Sequence, residues 1–267
     1  MSVLAPLSSD PDAALARRNP VAKLAAAGVL MLGLLVTLDA VTPAVLLLVE
    51  LAAVPATGVR WGALLRRTRP LLIGVVGVTV ANLLVVKTGD PRVVVGLGPL
   101  DITAGAASAA LSVALRLLAI ALPGILVLAS TDPTDLADAL VQRLRVSPRF
   151  AYGALAALRL LPLLAADWEL IGRARRARGL EAGRSPVAAL RLFISQVFAV
   201  LVAAIRRGVR LATAMEARGF DSGGTRTVAR PQPMQRDDWA LVVAAVAAVA
   251  IATAVAVLAG SWRLLLL

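Results

Sequence analysis

Ala177-Arg178-Gly179 and Ala217-Arg218-Gly219 are the same three residues twice, with their arginines 40 positions apart. A large apolar side chain follows each, Leu180 in the first case and Phe220 in the second. A guanidinium offers five donors in a fixed planar fork, a shape suited to carboxylates or carbonyls on a partner. The same residues also describe a helix end. Glycine just past a helix takes the left-handed conformation without a Cβ penalty, and the next apolar residue folds back on the last turn. Arginine in that turn meets exposed carbonyls and the negative end of the dipole. Capping alone accounts for one such ending, whereas its recurrence in one basic segment points to a pair of docking tips. Both readings stand on the residues, with Arg175, Met215, Glu216 and Phe220 as supporting neighbours.

The remaining candidates for chemistry are few. The chain has no cysteine and no histidine, which excludes a disulfide, a thiolate nucleophile, an imidazole base and any His/Cys metal site. Asp132, Asp135 and Asp138 are the only close acidic trio. They are what a membrane enzyme acting on lipid or prenyl groups would need, but their place at a helix start favours capping and solvation. Gly223-Gly224 follows no strand and no P-loop lysine pattern accompanies it. Glu50 and Arg116 fall inside apolar stretches. As an intramembrane pair they would suit a self-contained transporter or channel; otherwise Glu50 is tucked among helices and Arg116 snorkels. No catalytic residue, cofactor or metal is expected.

These residues sit in a chain with the composition of a membrane protein. Of 267 residues 59% are apolar and only 16% charged, against roughly 25% in an ordinary soluble domain. Mean hydropathy is +0.84. Aromatic residues make up 3%, too few for the girdles of a β-barrel. The expected fold is an all-α polytopic membrane protein with a long helical cytoplasmic coupling region. Residues 1–20 read as a polar cytoplasmic tail and not as a signal peptide. Spans are expected near 22–38, 41–58, 70–87, 109–130 and 239–260, the first two turning around Asp39 to Pro43. That makes five, or six if 150–166 or 192–205 also crosses. Residues 21–130 thus hold the first four spans, and 238–267 the last with the C-terminus.

Charge sets the orientation. Arg17, Arg18 and Lys23 precede the first span, and Arg60, Arg66, Arg67 and Arg69 separate the second from the third, so both groups are expected inside. Lys87, Asp90, Arg92 and Asp101 balance, as in an outside loop. Residues 131–237 then form a cytoplasmic block that holds more than half of the basic groups. Anionic lipid or an acidic partner explains that excess better than nucleic acid does. Asp132-Pro133, Ser147-Pro148 and Ser185-Pro186 each place a capping residue before proline and predict helices over 133–144, 148–178 and 186–218. Asp221 to Thr227 reads as a polar linker.

Ala214-Met215-Glu216-Ala217-Arg218-Gly219-Phe220, with Ala177-Arg178-Gly179, resembles the transmembrane T component (EcfT and CbiQ type) of energy-coupling factor ABC transporters. Asn19-Pro20-Val21-Ala22-Lys23, Ser130-Thr131-Asp132-Pro133 and Arg159-Leu160-Leu161-Pro162 with Glu169 extend the likeness over about residues 19–227. The resemblance implies a non-catalytic coupling subunit of the prokaryotic plasma membrane. Its partners would be two cytoplasmic ABC-type ATPase subunits and a small membrane substrate-binding (S) subunit, for uptake of a vitamin or of a metal ion such as cobalt. Ala177, Arg178, Gly179, Ala217, Arg218 and Gly219 would be the ATPase-docking residues. The chain departs from the pattern in the arginine-rich run before the first motif.

Overall fold

The computed structural model describes residues 14–37, 39–58, 61–85, 93–96, 101–181, 183, 185–220 and 227–262. The tail before residue 14, Arg60, residues 87–92 of the balanced loop, the linker from Asp221 to Arg226 and Arg263 lie outside them. So do the side chains of Arg67 and Asp101.

The described chain forms eight α-helices: α1 (Pro20–Val36), α2 (Val41–Ala53), α3 (Trp61–Val85), α4 (Ala104–Ser130), α5 (Pro133–Arg143), α6 (Pro148–Ala177), α7 (Pro186–Ala217) and α8 (Arg236–Leu258). A short 3-10 turn, Val54–Thr57, follows α2. The all-α expectation has one exception, an antiparallel pair of strands β1 (Val93–Gly96) and β2 (Asp101–Thr103) before α4. Two compact units result. One comprises residues 4–139 with 232–267, the other residues 140–231.

In the first unit α4 packs against α1, α2 and α3, and α8 packs against α1 and α2. Leu34, Leu46, Ala119 and Ala252 are fully buried where α1, α2, α4 and α8 meet. The α1–α8 approach is close enough that a Cβ on Gly33 would stand 2.6 Å from a Val249 methyl, as small residues permit between membrane helices. Many large apolar side chains remain outward, among them Ile73 and Val76 on α3 and Val243 and Ile251 on α8. An apolar surface of that kind faces lipid or another apolar protein.

Among the described residues four helices are long and apolar enough to cross a membrane: Thr68–Val85 within α3, then α4, α7 and α8. The spans expected at 22–38 and 41–58 are apolar helices of 17 and 13 residues; the first lies at the lower limit of the roughly 17–25 that cross hydrocarbon and the second falls short of it. In place of a helix to residue 58, α2 gives way to the 3-10 turn containing Pro55, and Gly58 closes it in the left-handed conformation at φ 67°. The third helix also differs from expectation. It starts at Trp61, so Arg66 and Arg69 belong to its first turns and not to a loop. The 192–205 stretch lies in α7, which passes on length and composition, whereas α6 with 150–166 does not.

Paired helix ends as a candidate docking site

The second unit is dominated by α6, 30 residues long, and α7, 32 residues long. Both starts follow the predicted Ser-Pro order, but the Ser147 side chain makes no capping hydrogen bond. Ser185 accepts a hydrogen bond from the Ala188 N–H, and proline occupies the first helical position of both, where no N–H is missed. The predicted ends lie within one residue of those observed.

The two helices run antiparallel. Arg175, in the last turn of α6, donates to the Leu192 carbonyl and to Ser195 Oγ near the start of α7, each at 2.9 Å. One turn or two earlier, Gln196 donates to the Trp168 carbonyl at 2.8 Å, and the Trp168 and Phe193 rings meet edge to face at 5.5 Å. Asp167 and Arg207 form a half-buried ion pair at 2.7 Å. At the far end Phe220, just past α7, packs edge to face on Tyr152 in the second turn of α6, with ring centroids 6.2 Å apart. The two Ala-Arg-Gly ends therefore occupy opposite ends of the pair, separated by roughly the length of α7, about 48 Å at 1.5 Å per residue.

Both ends close in the same way. After α6 the Leu180 N–H donates to the Arg175 carbonyl at 3.0 Å and the Gly179 N–H to the Arg176 carbonyl at 2.9 Å. After α7 the Phe220 N–H donates to the Met215 carbonyl at 3.0 Å and the Gly219 N–H to the Glu216 carbonyl at 2.8 Å. This crossed pattern is the Schellman motif, which satisfies carbonyls left over at a helix end. It needs a left-handed residue, and Gly179 at φ 75° and Gly219 at φ 74° supply it. Arg178 and Arg218 are the capping residues and both are exposed, as are Ala177, Ala217, both glycines and Glu216. Met215 is half-buried. Each tip thus presents a solvated capping guanidinium on a backbone turn held by its own hydrogen bonds, and the α6 tip adds the exposed Arg176.

The other sequence candidates fall elsewhere. Asp132 accepts from the Thr134 N–H at 2.6 Å, Asp135 accepts from Gln232 at 3.4 Å, and Asp138 is buried along α5. Glu50 and Arg116 are not paired. Arg116 donates to the Asp39 carbonyl at 3.3 Å, at the α1–α2 turn, while Glu50 lies near the other end of α2. The intramembrane pair expected for a self-contained transporter is therefore absent: α4 carries Arg116 to the turn, out of reach of that carboxylate.

A polar knot at the end of the first unit was not legible as a site. Asn19 caps α1 through the Val21 N–H, its backbone N–H donates to Asp238 at 2.9 Å, and its amide donates to the Gln232 and Pro233 carbonyls. Lys23, only 2% exposed, donates to the Ser130 carbonyl at 2.7 Å, satisfying the end of α4. Asn19-Pro20 and Ser130-Thr131 are separate motifs in the sequence; in the structure Asp238 closes a capping box with Gln235 at the start of α8 and also receives the Asn19 N–H, 219 positions away.

A family model described as cobalt transport protein (CbiQ) matches residues 12–228. The chain is 30% identical over 217 residues to the energy-coupling factor transporter transmembrane protein EcfT of Exiguobacterium sibiricum, covering 78% of this chain and 82% of that one. To the protein of the same name in Heliobacterium modesticaldum it is 33% identical over 219 residues, covering 79% and 80%. It is also 32% identical over 192 residues to a putative ABC transporter ATP-binding protein of Bifidobacterium longum, there covering 67% of this chain but only 24% of the longer relative.

Proposed function

The chain belongs to the CbiQ family, the transmembrane components of energy-coupling factor transporters, and from that membership we propose that Arg178 and Arg218 dock it onto two cytoplasmic ATPase subunits. It is a transmembrane coupling subunit. The observation that carries the docking assignment is the duplication of one exposed arginine cap at opposite ends of an antiparallel helix pair. Two equivalent tips suit two equivalent ATPases. The Bifidobacterium longum relative supports the partnership, because a segment similar to this chain there lies within a protein named for ATP binding.

The chain itself hydrolyses nothing. ATP-driven approach of the two ATPases shifts the tips they hold, and α6 and α7 carry that displacement as levers of about 45 Å. The ties at Arg175, Asp167–Arg207 and Tyr152–Phe220 keep the helices from sliding independently. No residue of α7 is buried, and Ile194, Val197, Phe198 and Leu201 are all exposed. That apolar surface suits a small membrane substrate-binding subunit, which reorients and releases a vitamin or metal ion inward. Residues 131–237 with the N-terminus are assigned to the cytoplasmic side of the plasma membrane, and 21–130 and 238–267 to the bilayer.

The test is Arg178→Glu combined with Arg218→Glu in the full transporter, with expression and membrane insertion matched to wild type. Loss of ATPase co-purification and of uptake supports the assignment. Unchanged assembly and uptake would falsify it. Uptake by this chain without any ATPase favours the self-contained transporter instead.

A further inference from the structure

Among the described residues the chain passes between the two units twice, inside α5 after Ala139 and again after Pro231. Within the first unit both passages are fastened to one place, the start of α1. Lys23, only 2% exposed, directs its ammonium at three acceptors: the Ser130 carbonyl at 2.7 Å, the Ala16 carbonyl at 3.4 Å and Thr131 Oγ1 at 3.5 Å. That holds the chain where α4 gives way to α5. Asn19, one helical turn before Lys23, donates its amide to the Gln232 and Pro233 carbonyls at 3.2 and 3.3 Å, and so holds the returning segment. Gln232 donates to Asp135 on α5 at 3.4 Å. Within the second unit Gln142 donates to the Arg230 carbonyl at 2.9 Å. The outgoing and returning segments are thus tied to each other in each unit, and in the first unit to α1.

A buried ammonium is a costly way to finish a helix. The chain ends α6, α7 and α8 on a left-handed glycine, which satisfies the last carbonyls locally. By contrast α4 runs into an extended Thr131, and its end carbonyl takes a donor 107 positions away. A local cap leaves the following chain independent of α1, whereas the Lys23 cap ties it there. We propose that Asn19 and Lys23 are positioning residues for coupling. They fasten both chain passages to α1, so that a displacement arriving from the docking tips moves α1, α4 and α8 and is not absorbed in the connecting chain. Arg18, which pairs with Asp237 beside them at 2.6 Å, joins α1 to α8 but holds neither passage, and it has no part in this role. The inference rests on the reading of Arg178 and Arg218 as docking tips.

Hydrogen exchange in the assembled transporter, with and without ATP and vanadate, tests this without knowledge of the solute. Residues 104–112 report on the far end of α4, and residues 175–180 and 215–220 report on the tips. The nucleotide is expected to change exchange at both places in wild type. Lys23→Met keeps the aliphatic stem and removes the ammonium. Asn19→Ser keeps a side-chain cap for α1 and removes the two amide donors. In each variant the change at the tips should persist while the change at 104–112 falls at least threefold; Arg18→Ala should leave both intact. Thermal melting separates this from unfolding, and Asn19→Ser is the milder variant should Lys23→Met fail to fold. A full response at 104–112 in Asn19→Ser overturns the proposal. So does an equal loss in Arg18→Ala, or a wild-type response confined to the tips. Absence of any response at the tips overturns the docking reading itself, and this inference with it.

Discussion

The α6 and α7 ends are twins in backbone and strangers in attachment. Each closes with the same crossed hydrogen bonds over a left-handed glycine. The α6 tip is tied to the start of α7 by a guanidinium, Arg175 on Leu192 and Ser195. The α7 tip is tied to the start of α6 by a ring, Phe220 on Tyr152. The matching apolar residue at the α6 end, Leu180, is 52% exposed. The difference teaches that the motif specifies the turn, whereas its hold on the rest of the molecule comes from whichever neighbour lies alongside. One tip is polar-tethered with a free apolar side chain, and the other is seated on an aromatic.

Breaking both tips should have the largest effect. Beyond the double charge reversal, Arg178→Glu and Arg218→Glu taken singly are each expected to weaken ATPase co-purification more than tenfold, if the tips are equivalent. A strong effect from only one would show that the different attachments matter for docking. Next comes the turn itself. Gly179→Val or Gly219→Val forces a β-branched residue to positive φ, at a cost of about 2 kcal/mol, and should unwind the last turn of its own helix alone. Hydrogen exchange at 175–180 and 215–220 reads which end opens.

The tethers come after the turns. Arg175→Ala removes two hydrogen bonds from a charged donor and is expected to cost about 1.5 kcal/mol, loosening the α6 end. Phe220→Ala removes an edge-to-face contact from a half-buried ring, about 1 kcal/mol, and loosens the α7 end. Equal exchange at both ends in either variant would mean that the helix pair moves as one body and the tethers are not local. Leu180→Ala should change stability by less than about 0.5 kcal/mol, given its exposure. A fall in ATPase binding despite unchanged thermal melting would mark Leu180 as part of the docked surface.

What the sequence by itself determined is local. Ser-Pro and Arg-Gly pairs placed both ends of α6 and α7 within a residue, because caps and left-handed turns are decided by groups a few positions apart. The alternation of apolar runs with arginine gave a membrane protein, since no tertiary arrangement supplies charge that the chain lacks. Span lengths were less legible. Hydropathy runs unbroken from 41 to 58, yet the helix ends at Ala53, where Pro55 and the left-handed Gly58 shape a 3-10 turn that an apolar count does not register. Only the tertiary structure decided the partners. Arg116 meets the Asp39 carbonyl and not Glu50, Asp238 receives Asn19 across 219 positions, and Tyr152 receives Phe220. Such pairings depend on which helix faces pack together. Helical periodicity shows that a face exists, and packing alone selects what it meets.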